Sequence, residues 1–381
     1  MKKITLSDSS AIWLEHAQLI NDAYKGDYGN SNPNTYYELS KELFQFHSSP
    51  KTQNSNKKET VADENLLKNM AGFKKEEIKQ KVIRKKKYKS DSISMKPLVF
   101  ETKIAAFLHH IKEMESFKYG SAAKSTTVMP RYWEERHKFP KFKGANSTDQ
   151  FQSFSFGEHS YLIPPHSKFY NRDVKQFNEI LGEMQTYDLI VMDPPWRNKY
   201  IRRLKKLKLD LAYDMLDNME LQKMPIPQLI ERNTLVAIWC TNAEQHQRAL
   251  MDKFLPAWNL RLVQTIKWLK LNTSGDLIGN INELSKKQPY EILYIACHQE
   301  EDNNFSGLQS IEMIGSIPSI VHSHKPPLLQ FLREYLPAKA RCLELFARYL
   351  QPHFTSIGLE VLKLMDERLY IKRESNYIKS V

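Results

Sequence analysis

The apolar run Leu189-Ile190-Val191-Met192 stops abruptly at Asp193-Pro194-Pro195-Trp196, and this junction constrains the fold more than any other stretch of the chain. A short aliphatic run rich in β-branching, with no polar alternation, reads as a strand buried on both faces. Proline has no N–H to give to a ladder, so two in succession end the strand and turn the chain out of the sheet. In open α/β sheets, ligands bind beyond the carboxyl ends of the strands. A carboxylate, proline-locked backbone carbonyls and an indole are thereby delivered to the edge where such folds do chemistry.

Other runs repeat the pattern. Strands are expected over Thr234–Cys240, Leu262–Trp268, Glu291–Cys297 and Cys342–Phe346, with another near Gly358–Leu364. Helices are expected between them, including Ala243–Phe254 and Pro327–Tyr335. Strands alternating with helices predict an α/β fold with a largely parallel sheet covered on both faces. Residues 160–381 read as this one unit, and no internal repeat interrupts it.

The remainder divides by composition. Residues 1–47 form an accessory segment, with helical apolar spacing over Ala11–Tyr24 and Tyr36–Phe46. Residues 48–95 are Lys-, Ser- and Asn-rich, bury too little apolar surface to order themselves, and are expected to be a flexible basic linker. The cluster Lys81-Val82-Ile83-Arg84-Lys85-Lys86-Lys87 within it reads equally as a nuclear-import signal or a solvated charge run. Residues 96–159 combine an accessory helix, Phe100–Phe117, with a basic and aromatic segment, Arg131–Phe139. The helix places Ile104, Phe107, Leu108, Ile111 and Met114 on one face. The segment suits either a nucleic-acid strand or a clamp on the domain surface, the clamp being slightly favoured.

A formal charge of +12 over 381 residues points to an anionic partner. A membrane is not expected, since there is no long apolar span and no lipidation signal. The start of the chain lacks the apolar core of a secretion signal. Cys240, Cys297 and Cys342 lie mostly in apolar runs and read as buried, reduced thiols of an intracellular protein.

The tetrad Asp193–Trp196 suits one chemistry in particular. The exocyclic amine of adenine is a weak nucleophile because its lone pair is delocalised into the ring. A carboxylate and a backbone carbonyl that accept both of its N–H groups would favour a pyramidal, nucleophilic nitrogen. Prolines hold those acceptors still, and a Trp offers a surface on which the base can stack. The bland reading of the same residues is a strand-ending turn with a buried Trp.

Five blocks, in order, carry a resemblance. They are DLIVMDPPW (Asp188–Trp196), MPIPQL (Met224–Leu229), KKQPYE (Lys286–Glu291), HSHKPPL (His322–Leu328) and LELFARYLQP (Leu343–Pro352). Over roughly residues 160–365 the chain resembles the DPPW family of N6-adenine methyltransferases, within it most of all the methyltransferase-like protein 4 branch. The resemblance implies a Rossmann-like sheet with permuted motif order and S-adenosylmethionine as methyl donor. It implies that Asp193 and the Pro194 carbonyl activate the amine beside Pro195, and that Trp196 stacks the base.

For the cofactor, the resemblance implies that Asp173 and Val174 read the adenine and that Lys325 meets the methionine carboxylate, with Asp193 sharing the site. Phe346 and Arg348 would flank the ribose and methionine portion. Gly358 is followed by Leu359, where the family carries Asn, which leaves Glu360 to accept from ribose hydroxyls. Phe354 stands where the family usually has Trp. The nearby His322 and His324 lack a third ligand at metal-binding spacing, so no metal is expected.

The stretch after the tetrad carries Arg197, Lys199, Arg202, Arg203, Lys205, Lys206 and Lys208. It reads either as a solvated helix face or, as favoured beside an adenine-acting tetrad, as a loop that neutralises phosphates. The resemblance puts Tyr213 near the acceptor base, and Lys267-Trp268 sits at the end of another strand where it can line the same mouth, although a Trp there is more often core. The function expected is methyl transfer to N6 of adenosine in RNA, a small nuclear RNA adenosine bearing a ribose 2′-O-methyl group above all. DNA and a catalytically silent nucleic-acid-binding role are the alternatives. The expected setting is the nucleus, with the cytoplasm second, and a chain that acts alone rather than in a catalytic–noncatalytic heterodimer.

Overall fold

The computed structural model describes residues 1–25, 35–44, 96–118, 139–196, 218–281, 288–301, 305–321 and 324–374. Two units separate, one of residues 1–46 with 107–381 and one of residues 47–106. Of the second, only the first turns of helix α2 (Lys96–Lys112) lie among the described residues. The basic linker and the segment Arg131–Lys138 lie outside them.

The first unit is built on a sheet whose middle is the strand expected before the tetrad. Its N-terminal strands are β1 (Lys2–Thr5) and β2 (Ser10–Trp13), and β3 (Thr35–Leu39) lies apart from it. There follow β4 (Phe142–Asn146), β5 (Gln152–Phe156), β6 (His159–Ile163), β7 (Ser167–Asn171) and β8 (Tyr187–Met192). The long strands β9 (Ile230–Cys240), β10 (Leu260–Lys270) and β11 (Tyr290–His298) come next, then β12 (Ile311–Ser316). The last are β13 (Cys342–Leu345), β14 (Phe354–Gly358) and β15 (Tyr370–Glu374).

Among the described residues, eleven strands share one sheet in the order β1-β2-β12-β10-β11-β9-β8-β13-β14-β7-β4. All run parallel except β1, β11 and β4, which oppose their neighbours, so the α/β fold is built on a mixed sheet. The pairs β3–β15 and β5–β6 form separate two-stranded sheets.

Alternation along β8 and β9 explains why these strands read as unbroken apolar runs. Ile190, Met192, Val236 and Ile238 enter one core, which Val174, Phe177, Leu250 and Phe254 cover. Leu189, Val191, Ala237 and Trp239 enter the opposite core with Leu19, Leu328 and Phe331. Both faces are dry, and alternation between polar and apolar disappears.

The N-terminus departs from expectation. Ala11 to Trp13 are strand, paired in parallel with β12, and helix α1 (His16–Lys25) begins only after them. Ala11, Ile12, Trp13 and Leu14 are all buried, and such a continuous run suits a two-faced strand better than a helix stripe. Residues 35–44 likewise form β3 and a single 3₁₀ turn instead of an α-helix. With β1, β2 and β4 in the sheet, the main domain draws strands from both sides of the boundary expected at residue 160.

Two further expectations shift. The strand placed near Gly358–Leu364 runs over Phe354–Gly358, and residues 359–364 form a turn closed by Lys363 N–H to Glu360 O at 2.9 Å. The helix expected over Pro327–Tyr335 is reduced to a single i to i+4 bond, Leu332 N–H to Leu328 O at 2.9 Å, and a 3₁₀ turn at Arg333–Tyr335. By contrast, Ala243–Phe254 is helical as expected, an α-turn Glu244–Ala249 continuing into a π-turn Leu250–Phe254.

Candidate active site

The tips of β7, β8, β13 and β14 converge at the carboxyl edge of the sheet. Around them is a cleft of about 570 Å³ lined by Asp173, Val174, Lys175, Asp193, Pro195, Phe346, Ala347, Arg348, Leu359 and Glu360. Of the residues expected to hold a cofactor, Asp173, Val174, Asp193, Phe346, Arg348 and Glu360 thus come from four strand ends separated by up to 187 positions (360 − 173) and meet in one pocket.

Each strand end is fixed by a local cause. Asp188, inside the DLIVMDPPW block, is buried and takes both forks of Arg341 at 3.1 Å, which anchors the start of β8 at the far edge of the sheet. Asp193 at the other end is half-buried. Trp196 N–H closes back on Pro194 O at 2.8 Å, so the Pro194 carbonyl is already engaged within its own turn. Phe346 adopts φ of 64°, the left-handed region that a side chain enters only at a cost of about 1 kcal/mol or more. Gly358 is required by packing, since a Cβ there would lie 2.4 Å from the Ala347 carbonyl oxygen. It shapes the β13–β14 edge without lining the cleft.

Asp173 caps the 3₁₀ turn Val174–Glu179 by accepting from Lys175 N–H at 3.0 Å through Oδ1. Glu360 meets Arg348 at 3.4 Å and Lys363 at 2.8 Å. The pocket therefore offers carboxylates at two ends, an arginine, and an apolar wall of Val174, Phe346 and Leu359. Leu359 is 51% exposed, an apolar side chain at the position where an amide was expected. An apolar wall flanked by carboxylate acceptors for amine and hydroxyl groups suits a nucleoside-bearing cofactor in its donor and acceptor chemistry.

Behind Asp193 lies a buried charge network. Lys325 Nζ reaches Asp193 Oδ2 at 2.8 Å and Glu291 Oε2 at 2.9 Å, and it rests 5.6 Å over the Trp239 ring. Lys270 completes the network on the other oxygen of Glu291. Burial alone would lower Lys325, but the Asp193 and Glu291 carboxylates outweigh it and hold the ammonium above the usual lysine range. Burial alone would raise Glu291, but Lys325 and then Lys270 outweigh it and hold it below the usual carboxylate range. Lys325 stands behind the tetrad and does not line the cleft, so two of its three N–H groups are committed to protein carboxylates. The sequence signal for this is in KKQPYE, whose final Tyr290-Glu291 opens β11.

A second group missed in the sequence is Glu344. It is buried in β13, accepts from Gln351 Nε2 at 2.8 Å, and is pushed up to about 8 by burial, with the Asp193 charge adding to the shift. A glutamate inside the apolar run Leu343–Phe346 is the mark that could have found it.

Trp196 is a correction. Its ring is 4% exposed, its indole N–H donates to Trp239 O at 2.8 Å, and it stacks with Phe254 at 6.3 Å and 4°. It belongs to the core beneath β9, so it does not present a face on which a base could stack. The bland reading of the tetrad's last residue is the one that holds, because a Trp with a carbonyl partner for its N–H is stable inside. Pro195, half-buried on the cleft wall, is the tetrad's exposed apolar surface. Trp268 is likewise core, with its N–H on Ser316 Oγ at 2.8 Å, while Lys267 lies half-buried on the opposite face. Arg197, Lys199, Arg202, Arg203, Lys205, Lys206, Lys208 and Tyr213 lie outside the described residues, as does His322.

Comparison with known proteins agrees with this geometry. The MT-A70 family model matches residues 187–360. The chain is 36% identical over 223 residues to human N(6)-adenine-specific methyltransferase METTL4, covering 56% of this chain and 46% of that protein. It is 33% identical over 216 residues to a Caenorhabditis elegans DNA N6-methyl methyltransferase, covering 56% and 57%. It is 32% identical over 220 residues to the N6-methyladenosine RNA methyltransferase MTA1 of Pyricularia oryzae, covering 56% and 58%. The chain thus spans about half the length of these relatives. The matched stretch opens on the first residue of β8 and closes on Glu360 of the cleft wall, and residues 187–360 are a domain of the MT-A70 family.

Proposed function

We propose that this chain is an S-adenosylmethionine-dependent methyltransferase that modifies the N6 amine of adenosine in nucleic acid. The observation that carries the reading is Asp193, a carboxylate ion-paired to buried Lys325 and set in a cleft with Asp173, Phe346, Arg348 and Glu360. S-adenosylmethionine supplies an electrophilic methyl group on a sulfonium. Asp173, Val174, Phe346, Arg348 and Glu360 are the residues that would hold it, with Lys325 behind Asp193 balancing charge.

The chain's own contribution is positioning and electrostatics. Among the described residues Asp193 Oδ2 is taken by Lys325, so Oδ1 is the oxygen left to accept an amine N–H. Pro194 and Pro195 restrict the backbone around it, so the acceptor does not reorganise as positive charge grows on nitrogen. One N–C bond forms as one C–S bond breaks, and the proton lost from nitrogen passes to water or to Asp193. No strong base is needed, because the sulfur departs neutral.

RNA is favoured over DNA, and within RNA a small nuclear RNA adenosine with a 2′-O-methyl ribose. The resemblance carried by the five sequence blocks favours this reading, and the net charge of +12 supports a polyanionic substrate. The relatives' names include both a DNA and an RNA methyltransferase, so DNA is the nearer alternative. A chain working alone, in the nucleus first and the cytoplasm second, completes the proposal. A second reading, a silent nucleic-acid-binding partner, draws on Leu359, which replaces an expected polar contact with exposed apolar surface.

The test is incubation of the full chain with methyl-labelled cofactor and separate pools of total RNA and genomic DNA, followed by nucleoside separation. Label as N6-methylated adenosine is expected, and the labelled pool names the substrate. No label in either pool, with no cofactor binding by calorimetry, would leave only the silent partner.

A further inference from the structure

The described cleft occupies one side of Asp193, and the other side is built differently. Its walls come from the tips of β7, β8, β13 and β14. Beyond β8 in the sheet order lie β9, β11 and β10. Methyl transfer is an in-line displacement, so the nucleophile must approach the methyl group from the side opposite the departing sulfur. With the cofactor held by the cleft, the acceptor comes from the β9–β11–β10 side.

Three side chains meet there. Asn242, just past the end of β9, donates through Nδ2 to Tyr290 O at 2.7 Å. Lys267 Nζ lies 5.9 Å from the centre of the Tyr290 ring. The register Lys267↔Ile292 and Ile292↔Cys240 puts Lys267 and Tyr290 on the same face of the sheet as Cys240. The Asp193 charge is close enough to Cys240 to add to the rise that burial imposes on its thiol. Lys267, Tyr290 and Asn242 are all half-buried. Asn242 Oδ1 is shielded and accepts no hydrogen bond among the described residues.

We infer that Lys267, Tyr290 and Asn242 form a ledge that holds the single-stranded polynucleotide beside its target adenosine. The inference rests on the proposed methyl transfer, because that reaction decides which side of Asp193 the acceptor takes. Two of the groups match parts of a strand, and the third holds them. A tyrosine ring stacks on a base of any sequence and a lysine neutralises a phosphate, while Asn242 fixes the Tyr290 backbone. Burial holds Lys267 below the usual lysine range, with Glu312 only partly opposing it, so an adjoining phosphate also relieves a cost already present in the free protein. A single strand fits better than a duplex, because stacking on Tyr290 requires a base with an open face.

The test uses the full chain and a dye-labelled twelve-nucleotide single strand, in RNA and in DNA form, titrated at several salt concentrations. Lys267→Met is expected to flatten the slope of log affinity against log salt by about 0.7, the share of one phosphate contact on a single strand. Tyr290→Ala is expected to weaken binding about ten-fold, and Tyr290→Phe to keep it, since the ring is what stacks. Lys372→Met, at an exposed position of β15, controls for general charge and is expected to have less effect than Lys267→Met. Calorimetry with S-adenosylmethionine is expected to give the same affinity for all variants.

Wild-type slope in Lys267→Met together with wild-type affinity in Tyr290→Ala would overturn the ledge. If Tyr290→Ala fails to fold, Lys267→Met decides alone, since methionine keeps the apolar stem of the half-buried lysine. Dependence on Lys267 and Tyr290 in a chain that transfers no methyl group would leave the ledge standing and remove the methyl-transfer reading. Methyl transfer without that dependence would do the reverse.

Discussion

At the scale of single residues, the acidic side chains around the tetrad divide by surroundings. Asp193 is paired, Glu291 is held ionised between two lysines, and Glu344 is buried with an amide as its hydrogen-bond donor. Glu344 titrates in the folded chain near 8, above its unfolded value, so the native state binds more protons between these limits. Its contribution to stability is therefore full below about pH 4.5 and is lost as pH rises through about 8. Glu344→Gln is expected to remove that decline, leaving a variant nearly equal to wild type near pH 5 and several degrees more stable than wild type near pH 9 in thermal melts. A variant whose difference from wild type does not change with pH would show that the carboxyl is not held neutral. The sequence could mark Asp193 because prolines announce a strand end. It could not mark the Lys325–Glu291 pairing, because charge pairing between residues 34 positions apart (325 − 291) depends on which strand tips adjoin.

At the scale of elements, the legible signals were those whose cause is local. Strands β8 to β11 stand where their apolar runs are, with ends extended by a few residues. What failed was the spacing of short runs near the N-terminus, where a buried strand and a helix stripe look alike until a partner is known. Strand β2 is strand because β12 offers it an edge. Trp196 shows the same limit, since its fate is set by His246 and Phe254 across the sheet face. Trp196→Ala is expected to destabilise the fold by about 3–5 kcal/mol, as large-to-small changes in cores do. A variant with wild-type melting temperature and lost activity would return Trp196 to base stacking. Deleting residues 1–14 is expected to abolish cooperative melting. It bares the β12 edge and removes the buried Ile12, Trp13 and Leu14, each worth about 1.5–3 kcal/mol against a total stability of a similar order. An unchanged melt would show the edge pairing to be dispensable.

At the scale of the whole molecule, one mixed sheet gathers contributions that lie far apart in the chain. The tetrad follows β8, the network lysine precedes β13, and the cofactor wall spans β7, β13 and β14. No described helix is long and apolar enough to cross a membrane. The formal charge of +12 matches a polyanion, but it does not say where a strand would run, and the most cationic stretch lies outside the described residues. The site was legible as a set of motifs and the sheet as a class, whereas the burial of Trp196 and Lys325 required the assembled tips.

The most direct test of the central claim is methyl transfer to RNA and DNA by wild type and Asp193→Asn, with cofactor affinity measured in the same preparations. The change keeps the side chain's size and removes its charge beside Lys325. N6-methyladenosine formation is expected to fall at least about a hundred-fold while cofactor affinity changes far less, as for loss of a preorganised electrostatic contact. Equal turnover by the two proteins would contradict an activating role for Asp193.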